Sequence, residues 1–137
     1  MWWVYALFSA FFASLTAIFA KIGVKDVDSD LATAIRTIVI LFIAWGIVFY
    51  RGSAGTITSL SKHNLIFLGL SGLATGLSWI FYFKALQLGK VSQVAPVDKL
   101  SVALTIILSV LFLKEVVTLK MAIGAGLIIA GTFVLIF

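Results

Sequence analysis

Five runs of about 20 mostly apolar residues occupy nearly the whole chain, each bounded by charged or turn-forming residues. A helix of 20 residues is about 30 Å long, which matches the hydrocarbon core of a bilayer. Segments that cross lipid must be helices or closed barrels, because lipid cannot hydrogen-bond an open strand. The sequence therefore predicts an all-α integral membrane protein, with one five-helix domain over residues 1–137. The predicted spans are approximately 3–23, 31–50, 64–83, 92–113 and 116–137.

The composition excludes both a soluble globular protein and a disordered chain. Of the 137 residues, 63% are apolar and only 11% are charged. A soluble domain needs more charged residues on its surface, and a disordered chain has far fewer apolar residues. No basic residue or small-residue cleavage site marks the first run as a signal peptide, so we expect it to be retained as a span.

The chain offers few residues for catalysis or metal binding. It has no cysteine, and its single histidine, His63, lies in the most polar part of the middle of the chain. The runs contain no paired carboxylates, no histidine cluster and no serine–base pair. We therefore expect no enzymatic activity, no metal site and no cofactor.

The net charge of +5 arises from basic residues scattered singly between the apolar runs. Nucleic-acid-binding proteins concentrate such residues on one surface, whereas single charges beside spans contact anionic lipid headgroups. The expected partner is thus the lipid bilayer and not a nucleic acid.

Three charged residues, Arg36, Asp98 and Lys99, fall roughly 8–10 Å inside predicted spans. Charge inside a membrane is costly and by default indicates a functional site. The alternative for Arg36 and Lys99 is that their long side chains reach the headgroups. Asp98 is too short for this, and we expect its partner to be a basic residue on another helix. The connectivity predicts that these residues gather at one end of the bundle, beside Trp79 and Tyr82.

The fourth run combines a proline with a line of polar residues. Pro96 removes a backbone donor, so it predicts a kink near Asp98 unless it lies within the first turn. Ser101 and Thr105 follow at helical spacing, and Ser109 extends the line. These hydroxyl groups either line a polar cavity or bond to their own backbone carbonyls.

Two further features of the sequence predict local structure. Ser29 or Asp30 is the expected N-cap of the second helix. Small residues repeat along one face of several runs and predict close helix packing, as membrane helices pack through such residues. They include Gly69, Gly72 and Gly76 in the third run and Ala122, Gly126 and Ala130 in the fifth.

Basic residues are balanced between the two sides of the predicted bundle. Four lie on the side of the N-terminus and four on the opposite side, so the positive-inside rule gives little preference for one orientation. Two oppositely inserted copies would form the inverted repeat on which many secondary transporters are built. The first four are Arg51, Lys62, Lys114 and Lys120, and the second four are Lys21, Lys25, Lys84 and Lys90.

The sequence resembles an EamA-type repeat of the drug/metabolite transporter superfamily, over essentially the whole chain. Most members of that superfamily carry two such repeats, so the resemblance implies that this chain is one half of a ten-helix inverted-repeat transporter. It also implies a homodimer in the cytoplasmic membrane of a prokaryote that exports metabolites, amino acids or drugs. The similar segments are Ala20–Gly23, Leu31–Arg36, Tyr82–Pro96, Leu111–Glu115 and Ile123–Gly131.

Two departures from the family pattern stand out. Lys114 occupies a position where the family usually has glycine, and Asp98 with Lys99 forms an acid–base pair where many members have neutral residues.

The favoured interpretation is a secondary transporter subunit with a polar pathway. Asp98 would titrate or face a cation, with Arg36 or Lys99 as its counter-charge or as an anion contact. Trp79 and Tyr82 would contact the small-molecule substrate, and Ser101 and Thr105 would line the path. The alternative is a non-transporting scaffold or accessory subunit, in which the polar residues only hold helices together.

Overall fold

The computed structural model describes residues 1–137 and confirms the all-helical prediction. Five segments are long and apolar enough to cross a membrane, and the fourth of these contains both α4 and α5. A short 3₁₀ helix, Ser53–Ser59, follows α2 and packs against it. The helices are α1 (Trp2–Gly23), α2 (Ser29–Tyr50), α3 (Lys62–Leu88), α4 (Val91–Asp98), α5 (Leu100–Leu113) and α6 (Leu119–Ile136).

Two helix ends lie farthest from the predicted boundaries. Helix α3 continues to Leu88, beyond the predicted end at 83, because Lys84 marks a change in polarity and not a break in the backbone. Helix α6 begins at Leu119, not at 116, because Thr118 is extended and its hydroxyl accepts the Met121 N–H at 3.3 Å. The preceding link starts at Lys114, whose φ of 55° places it in the left-handed region.

The N-cap of α2 is Asp28, so the prediction of Ser29 or Asp30 was wrong. Asp28 has an extended backbone, and its Oδ1 accepts the N–H groups of Asp30 at 3.0 Å and Leu31 at 2.9 Å. Ser29 is instead the first residue of the helix and is buried. The carboxylate at the N-terminus of α2 also interacts favourably with the helix dipole.

The fourth spanning segment is interrupted at Lys99, three residues after Pro96. Pro96 lies in the interior of α4, where it has no N–H to donate. The Lys99 N–H lies within hydrogen-bonding distance of two carbonyls, those of Ala95 at 3.3 Å and Pro96 at 3.1 Å. The last turn of α4 therefore tightens before α5 begins at Leu100.

Residues 20–87 form one compact unit. Its buried residues are Val24, Ser29, Thr33, Phe83 and Leu86, which come from the α1–α2 link, the start of α2 and the end of α3. The hydroxyl of Thr33 donates to the Ser29 carbonyl at 2.8 Å and needs no partner outside α2. The packed part of this unit thus lies around the α1–α2 link.

Residues 1–19 and 88–137 form the second compact unit. In it α6 packs against α4 and α5. Thr132 of α6 is only 4% exposed, and its hydroxyl lies 3.1 Å from the Pro96 carbonyl and 2.8 Å from the Ile128 carbonyl. Thr132 therefore joins α6 to the turn of α4 that contains the proline.

Within each compact unit, the glycine faces have no close neighbour. A Cβ atom added at Gly69, Gly72 or Gly76 would meet no atom within 4 Å, and the same holds for Gly126. Most large apolar side chains of the spanning helices are exposed as well. The predicted close packing stays a prediction, because a small-residue face specifies what a helix can pack against and not which chain supplies the partner.

Candidate functional site

Arg36 and Trp79, which the sequence places at the same end of the bundle, are in direct contact in the structure. The guanidinium carbon of Arg36 lies over the Trp79 ring, 4.0 Å from its centroid, and 5.3 Å from the centroid of the Phe83 ring. Phe83 is only 2% exposed, so this ring has a fixed position in the unit of residues 20–87. A cation over two aromatic faces is a favourable electrostatic contact.

Tyr82 belongs to the same group of residues on α3. It is half-buried, and its ring centroid is 6.4 Å from that of Phe83 in an edge-to-face arrangement. It also interacts electrostatically with Arg36. The group combines one permanent cation, a phenol and two ring faces within the spanning segments.

Gln87 is a structural residue that the sequence did not reveal. Its side-chain amide donates to the Val24 carbonyl at 3.1 Å and to the Val27 carbonyl at 2.5 Å. Both acceptors lie at the α1–α2 link, more than 50 residues earlier in the chain. The Lys21 ammonium group also donates to the carbonyl of Leu86, next to Gln87. The end of α3 therefore holds the α1–α2 link in place.

A cavity of about 410 Å³ lies beside this link. It is lined by Lys21, Val24, Lys25, Asp26 and Gln87. Asp26 has a φ of 59°, a left-handed conformation that aspartate tolerates better than most residues. The cavity is open, and its lining carries two cationic side chains and one carboxylate.

Asp98 pairs with its neighbour Lys99, and the expected partner on another helix was wrong. The Lys99 ammonium nitrogen is 3.2 Å from Asp98 Oδ2, and both side chains are partly exposed. In a continuous helix these two side chains would diverge by about 100°. The interruption of the helix at Lys99 allows the flexible lysine side chain to reach the carboxylate.

Ser101 and Thr105 lie on α5, one turn apart, and both are exposed. Neither hydroxyl forms a hydrogen bond, whereas the Ser109 hydroxyl donates to the Ile106 carbonyl at 2.9 Å. Several other hydroxyl groups of the spanning helices, such as that of Thr75, bond to carbonyls of their own helix. Ser101 and Thr105 thus keep their hydrogen-bonding capacity for a group outside their own helix.

The predicted site residues fall into two groups, one in each compact unit. Arg36, Trp79 and Tyr82 lie in residues 20–87. The other group, which belongs to residues 88–137, consists of Pro96, Asp98, Lys99, Ser101 and Thr105. Polar groups of both units therefore lie inside segments that have the length of membrane spans.

Comparisons with known proteins identify one family that this chain matches. A sequence model of the EamA-like transporter family matches residues 1–137. An "uncharacterized transporter in cobO 3'region" from Sinorhizobium sp. is 48% identical over 134 residues, which cover 98% of this chain and 95% of that protein. "Uncharacterized protein MJ1333.1" of Methanocaldococcus jannaschii is 39% identical over 66 residues, 48% of each chain. No solved structure matches.

Proposed function

The chain belongs to the EamA-like transporter family of membrane proteins, and from this premise we propose that it works as a homodimeric secondary transporter. Two five-helix subunits would enclose a polar pathway through which a small metabolite, an amino acid or a drug-like molecule is exported. The membrane would be the cytoplasmic membrane of a prokaryote. Ser101, Thr105 and Tyr82 would line this pathway, and Asp98 would titrate or bind the coupling cation.

The observation that carries the proposal is the exposure of Ser101 and Thr105 without hydrogen-bond partners. Lipid offers no hydrogen bonds, so a hydroxyl that faces it is better satisfied by its own helix, as in Thr75. An exposed polar line on α5 is therefore better placed against water. A second copy of the chain supplies the wall that would keep lipid away from this line.

The unoccupied glycine face of α3 supports a second subunit. Glycine within a helix costs about 1 kcal/mol relative to alanine. Within the unit of residues 20–87, no atom requires the small size of Gly69, Gly72 and Gly76. Close packing against another helix would give these residues a role and would recover dispersion energy. The relative from Sinorhizobium sp. is matched over 95% of its length, so its chain is also long enough for only about five spans.

Cysteine accessibility tests the pathway directly, because the chain has no cysteine of its own. We expect Ser101→Cys, Thr105→Cys and Tyr82→Cys variants in membranes to react with a charged, water-soluble thiol reagent. Ile107→Cys is the matched control, since Ile107 is exposed and lies about 200° around α5 from Thr105. It should react much more slowly, because a charged reagent does not enter lipid.

Equal protection of all four variants, from both sides of the membrane, would contradict the proposal. The polar residues would then only support helix packing, as in a scaffold or accessory subunit. Reaction of Ile107→Cys at the same rate as Thr105→Cys would contradict it too, since α5 would then be uniformly exposed to water.

A further inference from the structure

The Arg36 side chain carries a charge that no carboxylate of its own compact unit pairs with. Arg36 lies about 10 Å from the start of α2, and Trp79 lies about 13 Å from the end of α3. The ion pair of the structure joins Asp98 to Lys99 in the other unit, and the Arg36 guanidinium faces two aromatic rings in place of a carboxylate. The Trp79 and Phe83 rings attract the cation but do not accept its five N–H groups in conventional hydrogen bonds.

The two rings also fix where this cation is held. Phe83 is buried, and the guanidinium carbon lies 4.0 Å from one ring centroid and 5.3 Å from the other. An arginine held in this way loses less conformational entropy when it binds a ligand. Its planar group matches a carboxylate, which accepts two parallel hydrogen bonds from it.

We propose that Arg36, held by Trp79 and Phe83, binds the carboxylate of the transported molecule, so that the substrates are small organic carboxylates. This inference rests on the proposed transport function and narrows its substrate class.

Ligand binding to the purified protein in phospholipid-free maltoside micelles tests the proposal without requiring transport. The probes are benzoate and benzamide, which have the same shape and differ in charge. We expect millimolar benzoate to raise the unfolding temperature and benzamide to leave it nearly unchanged, because a ligand stabilises the state that binds it. Arg36→Gln should weaken benzoate binding by about tenfold or more, which is typical for loss of a charge-assisted bidentate contact.

The chain offers a matched control for each substitution. Arg51, the only other arginine, lies at the opposite end of α2, so Arg51→Gln removes the same charge and should leave benzoate binding unchanged. Trp79→Leu keeps Arg36 but removes the ring beneath it, and should weaken benzoate binding by a few-fold. Trp45→Leu is its control, because Trp45 contacts Phe49 of its own helix and not Arg36. If Arg36→Gln does not fold, Trp79→Leu still tests the site.

Several results would overturn the proposal. Equal stabilisation by benzoate and benzamide, no stabilisation by benzoate, or unchanged benzoate binding in both Arg36→Gln and Trp79→Leu would each exclude a carboxylate at Arg36. Competition between benzoate and added phosphatidylglycerol, with stabilisation by the lipid alone, would assign Arg36 to a headgroup. None of these outcomes would contradict the proposed transport function, since that function is tested by the accessibility of Ser101 and Thr105.

Discussion

At the scale of single residues, hydrogen bonds between distant parts of the chain fix the α1–α2 link. Gln87 donates to two carbonyls of this link, and both acceptors would lose that partner if the amide were removed. Replacement by leucine keeps a similar volume but no donor. We expect Gln87→Leu to destabilise the protein by about 1 kcal/mol, the usual net value of such a contact. Thermal unfolding in detergent micelles measures the change.

Gln93→Leu is the matched control, because Gln93 is half-buried on α4 and its side chain forms no hydrogen bond. If both substitutions changed the stability of the protein equally, the two glutamines would contribute to it only through the polarity of their side chains. The contact of Gln87 joins residues about 60 positions apart and follows no periodic pattern. Sequence reasoning therefore had no means of finding it.

At the scale of helices, the attachment of α6 to the proline turn of α4 is the clearest contact between spanning segments. Thr132 is buried, and its hydroxyl reaches the carbonyl of Pro96 at 3.1 Å. Thr132→Val preserves the shape and removes the hydroxyl. We expect a loss of about 1 kcal/mol in unfolding free energy, measured in detergent micelles.

Thr75→Val serves as the comparison, since the Thr75 hydroxyl is exposed and bonds only to Ser71 of its own helix. The importance of the α4–α6 contact would be refuted if Thr132→Val were no more destabilising than Thr75→Val. A mild effect at Thr75 is expected, because the Ser71 carbonyl remains in the helical hydrogen-bond ladder.

The helices themselves followed largely from the sequence, and their junctions did not. Five apolar runs of the right length gave five spanning segments, because burial in lipid requires both apolarity and a helical backbone. Polarity does not mark where the backbone stops being helical, which is why α3 passes Lys84 and ends only at Leu88. Within the candidate site, the connectivity of the helices predicted that Arg36 and Trp79 lie close together. For Asp98 the sequence left Arg36 and Lys99 open as the counter-charge, and the local break in the helix allows Lys99 to form the pair.

At the scale of the whole molecule, the proposed homodimer depends on the orientation in which each copy inserts into the membrane. The equal numbers of flanking basic residues leave the orientation weakly determined. We expect the chain to insert in both orientations, so that two opposed copies form the transporter.

Fusion of a reporter to the C-terminus measures this orientation. Alkaline phosphatase is active on the outer side of the cytoplasmic membrane and green fluorescent protein on the inner side, so both fusions should give signal. Activity of only one fusion would contradict opposed copies and would favour a parallel pair or a different partner. Two added lysines in the link between α2 and α3 should abolish one of the signals, since they bias the charge balance.

Lys114 affects both the backbone conformation of the α5–α6 link and the orientation in which the chain inserts into the membrane. A left-handed lysine costs roughly 1–2 kcal/mol that glycine would avoid, yet its ammonium group is one of the few determinants of topology on its side. Lys114→Gly would remove the backbone strain of the turn. It would also shift the balance of insertion toward one orientation. If two opposed copies form the transporter, as proposed, this substitution would stabilise the backbone but leave fewer oppositely inserted partners for assembly.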